Sequence, residues 1–235
     1  YCAPCVTAPS DQKEENILSH EWYYSFDDLS PLFLKQDILI HRSQDAGSMR
    51  ILEVGCGNQP LLPGFLTFSN EEVKLNFQGE NLYGIDFSDQ VIEQLNKNTS
   101  SIHYECKDAR KLSYDSDSFD IIIDKGTMDA MLSEKDQKKG IINAKLMVKE
   151  MIRCVTTKHG LIMIVSHIES ETEEFSLLLE DILMPAMMDL KVGVVWKLHV
   201  HSGGKDENGE PQGGTVYCIT CTEKRSTRSK NSSPN

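Results

Sequence analysis

The stretch Arg50-Ile-Leu-Glu-Val-Gly-Cys-Gly-Asn58 constrains the fold more than any other part of the chain. Ile51, Leu52 and Val54 form a short apolar run that reads as a buried parallel strand, ending in Gly55-Cys56-Gly57. Two glycines around one small residue permit a sharp turn and let a ligand approach the backbone with no Cβ in the way. Asn58-Gln59-Pro60 then opens a helix, with Asn58 as its cap and Pro60 in its first turn. Strand, glycine turn and helix make the first unit of a nucleotide-binding α/β sheet.

The turn also limits which nucleotide fits. A dinucleotide fingerprint wants Gly or Ala where Pro60 stands. Glu53, just before the turn, would repel a phosphate and attract a cationic centre. S-adenosylmethionine has a nucleoside, no phosphate and two positive centres, so it suits this turn better than NAD or FAD.

Further units follow in order. Leu61 to Thr67 reads as the first helix, and Leu82-Tyr-Gly-Ile85 as the second strand with Asp86 at its carboxyl end. An acid there holds ribose hydroxyls in doubly wound sheets. Its rival role is capping the next helix, for which Ser88 and Asp89 also stand ready. Ile102 to Cys106 is the third strand, and Asp108-Ala109 after it offers an acceptor for adenine N6 beside a small apolar contact. Phe119 to Ile123 is the most β-like run and hence a central strand. It leads into Asp124-Lys-Gly-Thr-Met-Asp-Ala130, a second cluster of charged residues at a strand end.

The remainder reads as a helix over 141–155, a strand over 161–165, a helix over 175–190 kinked at Pro185, and a hairpin of 193–201 with 215–222. Upstream, residues 28–41 carry a helical apolar pattern with Ser30-Pro31 in the first turn. His20-Glu-Trp-Tyr-Tyr-Ser-Phe26 packs four aromatics into seven residues, serving either as an anchor for the leader or as a wall over the site. The expected division is a loose leader over 1–20, one domain over 21–223, and a basic, serine-rich tail over 224–235.

Charge and cysteine usage narrow the function classes. A formal net charge of -12 without a basic stripe argues against a nucleic-acid partner. It suits a basic protein partner, or plain solubility. No apolar run reaches the roughly 20 residues that span a bilayer, so a membrane role is not expected. Seven scattered cysteines do not form a disulfide framework and suit a reducing compartment. Cys2-x-x-Cys5 and Cys218-x-x-Cys221 resemble a split zinc site, but residues i and i+3 of a strand face opposite sides, so no metal is expected. The chain begins at Tyr1, without an initiator methionine, and the expectation is a monomer in the cytoplasm, with the mitochondrion as alternative.

Four segments carry a resemblance. Ile51-Leu-Glu-Val-Gly-Cys-Gly-Asn58, Gly84-Ile-Asp-Phe-Ser88, Asp108-Ala-Arg-Lys-Leu112 and Ser118-Phe-Asp-Ile-Ile-Ile-Asp-Lys-Gly-Thr-Met-Asp-Ala130 stand in order. Together they resemble the seven-stranded S-adenosylmethionine-dependent methyltransferases, and among them the methyltransferase-like subfamily acting on lysines of elongation factor 1A and citrate synthase. The similarity runs over roughly residues 20–222, and the Asp-Lys-Gly-Thr-x-Asp-Ala segment is its most specific part. An upstream Tyr-Trp-x-x-x-Tyr element of that subfamily is not found here.

The resemblance implies a Rossmann-like α/β fold: a doubly wound, seven-stranded, mostly parallel sheet with a C-terminal antiparallel hairpin. It implies S-adenosylmethionine as cofactor and a protein substrate. Gly55 with its neighbours Glu53, Cys56 and Gly57 would contact the methionine part, while Asp86 and Phe87 would hold the ribose and flank the adenine. Asp108 and Ala109 would read the adenine edge, and Lys125 and Trp22 would line the pocket. For catalysis, Asp124 or Asp129 is expected to orient the lysine ammonium, and Trp22 and Tyr23 to exclude water. Rival readings are a small-molecule methyltransferase, a cofactor-binding scaffold without catalysis, and a dehydrogenase.

Overall fold

Alternate residues of the strands enter two different cores, and that alternation gives the sheet helices on both faces. The computed structural model describes residues 23–36, 38–39, 43–68, 75–190, 193–202, 204–205, 211–212 and 214–223. The leader over 1–20, the tail over 224–235 and Trp22 lie outside the described residues. The main sheet has seven strands: β1 (Ile51–Val54), β2 (Leu82–Asp86), β3 (His103–Cys106), β4 (Ile121–Lys125), β5 (Leu161–Ser166), β6 (Val194–His201) and β7 (Thr215–Glu223). Their order is β3-β2-β1-β4-β5-β7-β6. The first five run parallel, and β7 is antiparallel to both β5 and β6. The doubly wound, seven-stranded sheet with a terminal hairpin is therefore as the sequence implies.

Among the described residues, these α-helical segments cover it: α1 (Phe26–Leu34), α2 (Leu62–Thr67), α3 (Asp89–Asn98), α4 (Thr127–Leu132), α5 (Gln137–Cys154), α6 (Glu173–Leu177) and α7 (Met184–Leu190). Ile51, Ile121, Ile123 and Met163 share one core with Phe33 of α1 and Phe65 of α2. Leu52, Val54, Ile122 and Ile162 share the other with Met147 and Met151 of α5. The same alternation separates Cys218 from Cys221, which are buried in opposite cores.

Local chemistry moved several boundaries. α1 starts at Phe26 rather than Asp28, because Ser25 and Asp28 form a reciprocal capping box. Pro31 thus lies inside the helix, and the Ser30 hydroxyl donates to the Asp27 carbonyl that Pro31 has no N–H to serve. The 175–190 helix starts earlier, at Glu173. Its expected kink at Pro185 is a π-helical turn over Leu178–Leu183, a wider turn just ahead of the residue that lacks a donor. Of the aromatic segment, Phe26 is an anchor. Its ring sits over Gly64 of α2, where a Cβ would fall 2.1 Å from Phe26 Cγ, and it stacks edge-on with Phe65 at 4.8 Å.

Candidate functional site

Strand order reverses between β1 and β4, so the connections leaving their carboxyl ends diverge and open a crevice. Two chambers fill it. One, of about 410 Å³, is lined by Tyr23, Cys56, Gly57, Lys125, Asp129 and His167 among others. The second, of about 450 Å³, is lined by Asp108, Ala109, Arg110 and Asn143 among others. Gly55, Asp86, Phe87, Thr127 and Ala130 belong to both, so the chambers form one trough.

The two glycines of the turn do different work. Both have left-handed backbone, with φ of 64° at Gly55 and 57° at Gly57. A Cβ at Gly55 would lie 1.9 Å from Thr127 Oγ1, and that hydroxyl donates to the Val54 carbonyl at 3.0 Å. The space that a Cβ on Gly55 would take is therefore filled by Thr127 of α4. A Cβ at Gly57 would meet nothing within 4 Å, so the bare backbone faces the trough there.

Glu53 and Asp124 sit one residue before the ends of β1 and β4, and neither reaches the trough. The Glu53 carboxylate accepts from the Leu61 N–H at 2.9 Å and the Leu62 N–H at 3.2 Å, so it caps α2 from eight residues back and Asn58 does not. Asp124, fully buried, accepts from the Thr127 N–H at 2.9 Å and the Met128 N–H at 3.2 Å and caps α4. Asp124 was expected to meet substrate; β4 alternation turns it into the core under α4, while its neighbour Lys125 lines the trough. Glu53 likewise is not among the residues that line the trough. Burial pushes both carboxyls up to about 7.

These shifts make a stability prediction. A carboxyl whose folded pKa exceeds its unfolded value contributes stability fully below the unfolded value, near 4, and loses it as pH rises through about 7. Raising the pH from 5 to 8 should therefore lower the melting temperature, and Asp124→Asn should flatten the fall by about 1–2 kcal/mol, or about 5 °C. Parallel melts of both proteins check this, because titrating groups that do not interact with Asp124 cancel in the comparison.

Asp86 closes the turn without exhausting its capacity. One oxygen accepts from the Gly57 N–H at 3.0 Å, the other from the Ser88 N–H at 2.9 Å. A carboxylate offers about four acceptor positions, so one remains on each oxygen, as two vicinal hydroxyls require. Ser88 supplies the cap of α3 instead, accepting from the Val91 N–H. Phe87, 85% exposed, stands beside Asp86 as an open apolar face. In the second chamber the Asp108 carboxylate is held by Arg110 Nη2 at 2.7 Å and Nε at 2.9 Å, which keeps its pKa below the usual carboxylate range. Arg110 Nη1 reaches back to the Asn143 side chain on α5 at 2.9 Å. This clamp was not legible in the sequence. Ala109 packs behind it in the core.

At the other end of the trough four residues converge. Asp129, in the first turn of α4, accepts from the Ser166 hydroxyl at 2.6 Å, the Tyr23 hydroxyl at 2.6 Å and the His167 N–H at 2.9 Å. His167 Nδ1 lies 3.0 Å from the same carboxylate. Nδ1 is thus the ring nitrogen that faces the acid. Burial and Asp129 push the Tyr23 hydroxyl far above its ordinary 10, so it stays a donor. Tyr23 has a left-handed φ of 69°, and Tyr24 fixes this segment by donating to the Gly214 carbonyl at 2.7 Å. Sequence reasoning missed Ser166 and His167. Their signal was a Ser-His pair at the carboxyl end of β5, whose Val165 pairs with Lys125.

A family model described as "Methyltransferase domain" matches residues 45–202. The human mitochondrial citrate synthase-lysine N-methyltransferase CSKMT is 28% identical over 163 residues, covering 62% of this chain and 62% of that protein. The mouse EEF1A lysine methyltransferase 4 is 34% identical over 92 residues, covering 36% of this chain and 31% of that protein. The chain thus matches less than two thirds of the length of either relative. Among solved structures, that of SAM-bound CalS10, an amino pentose methyltransferase from Micromonospora echinaspora, superposes with a TM-score of 0.52 at 13% identity, over 84% of this chain and 92% of that one. With a switch-point trough, a glycine turn and a family match over residues 45–202, this chain belongs to the methyltransferase-domain family.

Proposed function

We propose that this chain binds S-adenosylmethionine in the trough and transfers its methyl group to a lysine amine of a protein substrate. The observation that carries the reading is the Asp129–His167–Tyr23 cluster at one end of a trough whose other parts suit a nucleoside. The fit rests on the bare Gly57 backbone, the two spare acceptor positions of Asp86, the open face of Phe87 and the Asp108-Ala109 pair. When bound, S-adenosylmethionine supplies a methyl group already activated on a sulfonium.

The chain's residues then have two tasks: to hold a cationic acceptor and to take one proton from it. Asp129, with three donors fixing its carboxylate, attracts an ammonium to this end of the trough. A carboxylate alone would hold the amine protonated, so a base is needed. His167 fills that role: Asp129 orients its ring through Nδ1, and Nε2 accepts the proton. Tyr23 covers the carboxylate and reduces its contact with water. The match to lysine methyltransferases supports an amine acceptor on a protein, and the net charge of -12 favours a basic one. An anionic acceptor, such as the carboxylate of a small acid, would be repelled by Asp129.

The test is transfer of labelled methyl groups to lysine-rich proteins and to small amines. His167→Ala is expected to lower kcat by about 10²–10⁴-fold with S-adenosylmethionine affinity within about twofold of the parent. Asp129→Asn should lower transfer and raise KM for the acceptor. Normal turnover in Asp129→Asn would remove the cluster from the mechanism, and labelling of small amines alone would overturn the protein substrate.

A further inference from the structure

A separate cavity of about 270 Å³ opens beside the transfer site and shares His167 and Ser133 with the trough. Ile141, Ile168, Leu178 and Ile182 make its wall apolar, and Leu177 in that wall is 56% exposed. Glu174 and Asp181 also line it, and both are exposed. They belong to a run from Glu169 to Asp181 that holds six Asp or Glu and no Lys or Arg. Of the residues named here, only His167 has a part in holding the cofactor or moving the proton.

Resting on the reading above, we propose that this groove docks a cationic segment of the polypeptide substrate, seating one apolar side chain close in sequence to the target lysine. An apolar wall gains by covering an apolar side chain and penalises an unpaired polar one. The carboxylate rim attracts Lys or Arg on the flanking positions and repels phosphates, so a basic polypeptide fits where an anionic lipid surface or a nucleic acid does not. Because the groove and the trough meet at His167, a lysine reaching into the trough brings its chain neighbours directly over the groove. An extended backbone advances about 3.3 Å per residue, so the apolar residue lies within a few positions of that lysine. The groove thus selects the sequence around the lysine, while the Asp129–His167 pair acts on the amine itself.

The probes are short fluorescein-labelled peptides with one central lysine, arginine flanks and a leucine placed at successive positions on either side. Anisotropy is measured on the full chain without S-adenosylmethionine, and a calorimetric titration with S-adenosylmethionine runs in parallel on every variant. The best leucine placement is expected to bind about tenfold tighter than its serine counterpart. The double variant Glu174→Lys with Asp181→Lys should lose about tenfold in peptide affinity, as should Leu177→Ser to a lesser degree, with the cofactor isotherm unchanged. Affinity indifferent to the leucine, indifference to the charge reversal, or tighter binding to phosphatidylserine vesicles than to any peptide would each overturn the groove. Failure of the parent chain to bind S-adenosylmethionine strikes only the methyl-transfer reading, since the anisotropy decides the groove on its own.

Discussion

Replacing Asp86 by alanine is expected to weaken S-adenosylmethionine binding by about 100-fold or more while leaving the sheet folded. The carboxylate contributes in two ways. It fixes the turn through the Gly57 and Ser88 N–H groups, and it leaves one acceptor position on each oxygen for a ribose diol. Hydrogen bonds to a charged group are worth about 1.5–3 kcal/mol each, so losing two removes about 3 kcal/mol or more, which is about two decades in Kd. Asp86→Asn keeps one oxygen and should fall between the two. Calorimetric titration with S-adenosylmethionine, with NAD as the comparison ligand, reads the effect directly. An alanine variant that binds within a few-fold of the parent would return Asp86 to a purely local role in the turn.

The second large effect separates two glycines that look equivalent in the sequence. Gly55→Ala should destabilise the protein by about 3–5 kcal/mol. The left-handed backbone costs a side chain about 1–2 kcal/mol, and the new Cβ would sit 1.9 Å from Thr127 Oγ1. Thr127 cannot swing away without giving up its bond to Val54 and disturbing the start of α4. Gly57→Ala carries only the backbone cost of about 1–2 kcal/mol, because nothing lies within 4 Å of the added carbon. That methyl group instead projects into the trough and should cut cofactor affinity about tenfold or more. Denaturant melts and cofactor titrations on the two variants should therefore give opposite patterns. Equal stability losses would contradict the different surroundings of the two positions.

How much of this the sequence carried depends on the range of each interaction. The strands were legible because burial on both faces leaves uninterrupted apolar runs such as Ile121-Ile-Ile123. Asp86, Phe87, Lys125 and Asp129 were placed in one trough because parallel strands bring their carboxyl ends together. Which strand-end acids point into that trough was not legible. Asp124 and Lys125 are neighbours, and only the face of β4 that each occupies decides that one is a buried cap and the other lines the cavity. Glu53 as the cap of α2 was missed for the same reason, since capping arguments look to the residues immediately before a helix. The Arg110–Asn143 bond crosses 33 residues and the Tyr23–Asp129 bond 106, and no local pattern encodes them.

The bond from Tyr24 to Gly214 joins residues 190 positions apart. At typical synthesis rates of 5–20 residues per second, about 10–40 s separate their emergence from a ribosome. β7, which starts beside Gly214, must also enter between β5 and β6 although β6 is made first. The five parallel strands can assemble while the hairpin is still being made, but Tyr23 has no fixed seat over Asp129 until Gly214 arrives. A polypeptide made only as far as β6 therefore lacks the bond that fixes the Tyr23 segment, and the pocket is complete only once Gly214 has been added.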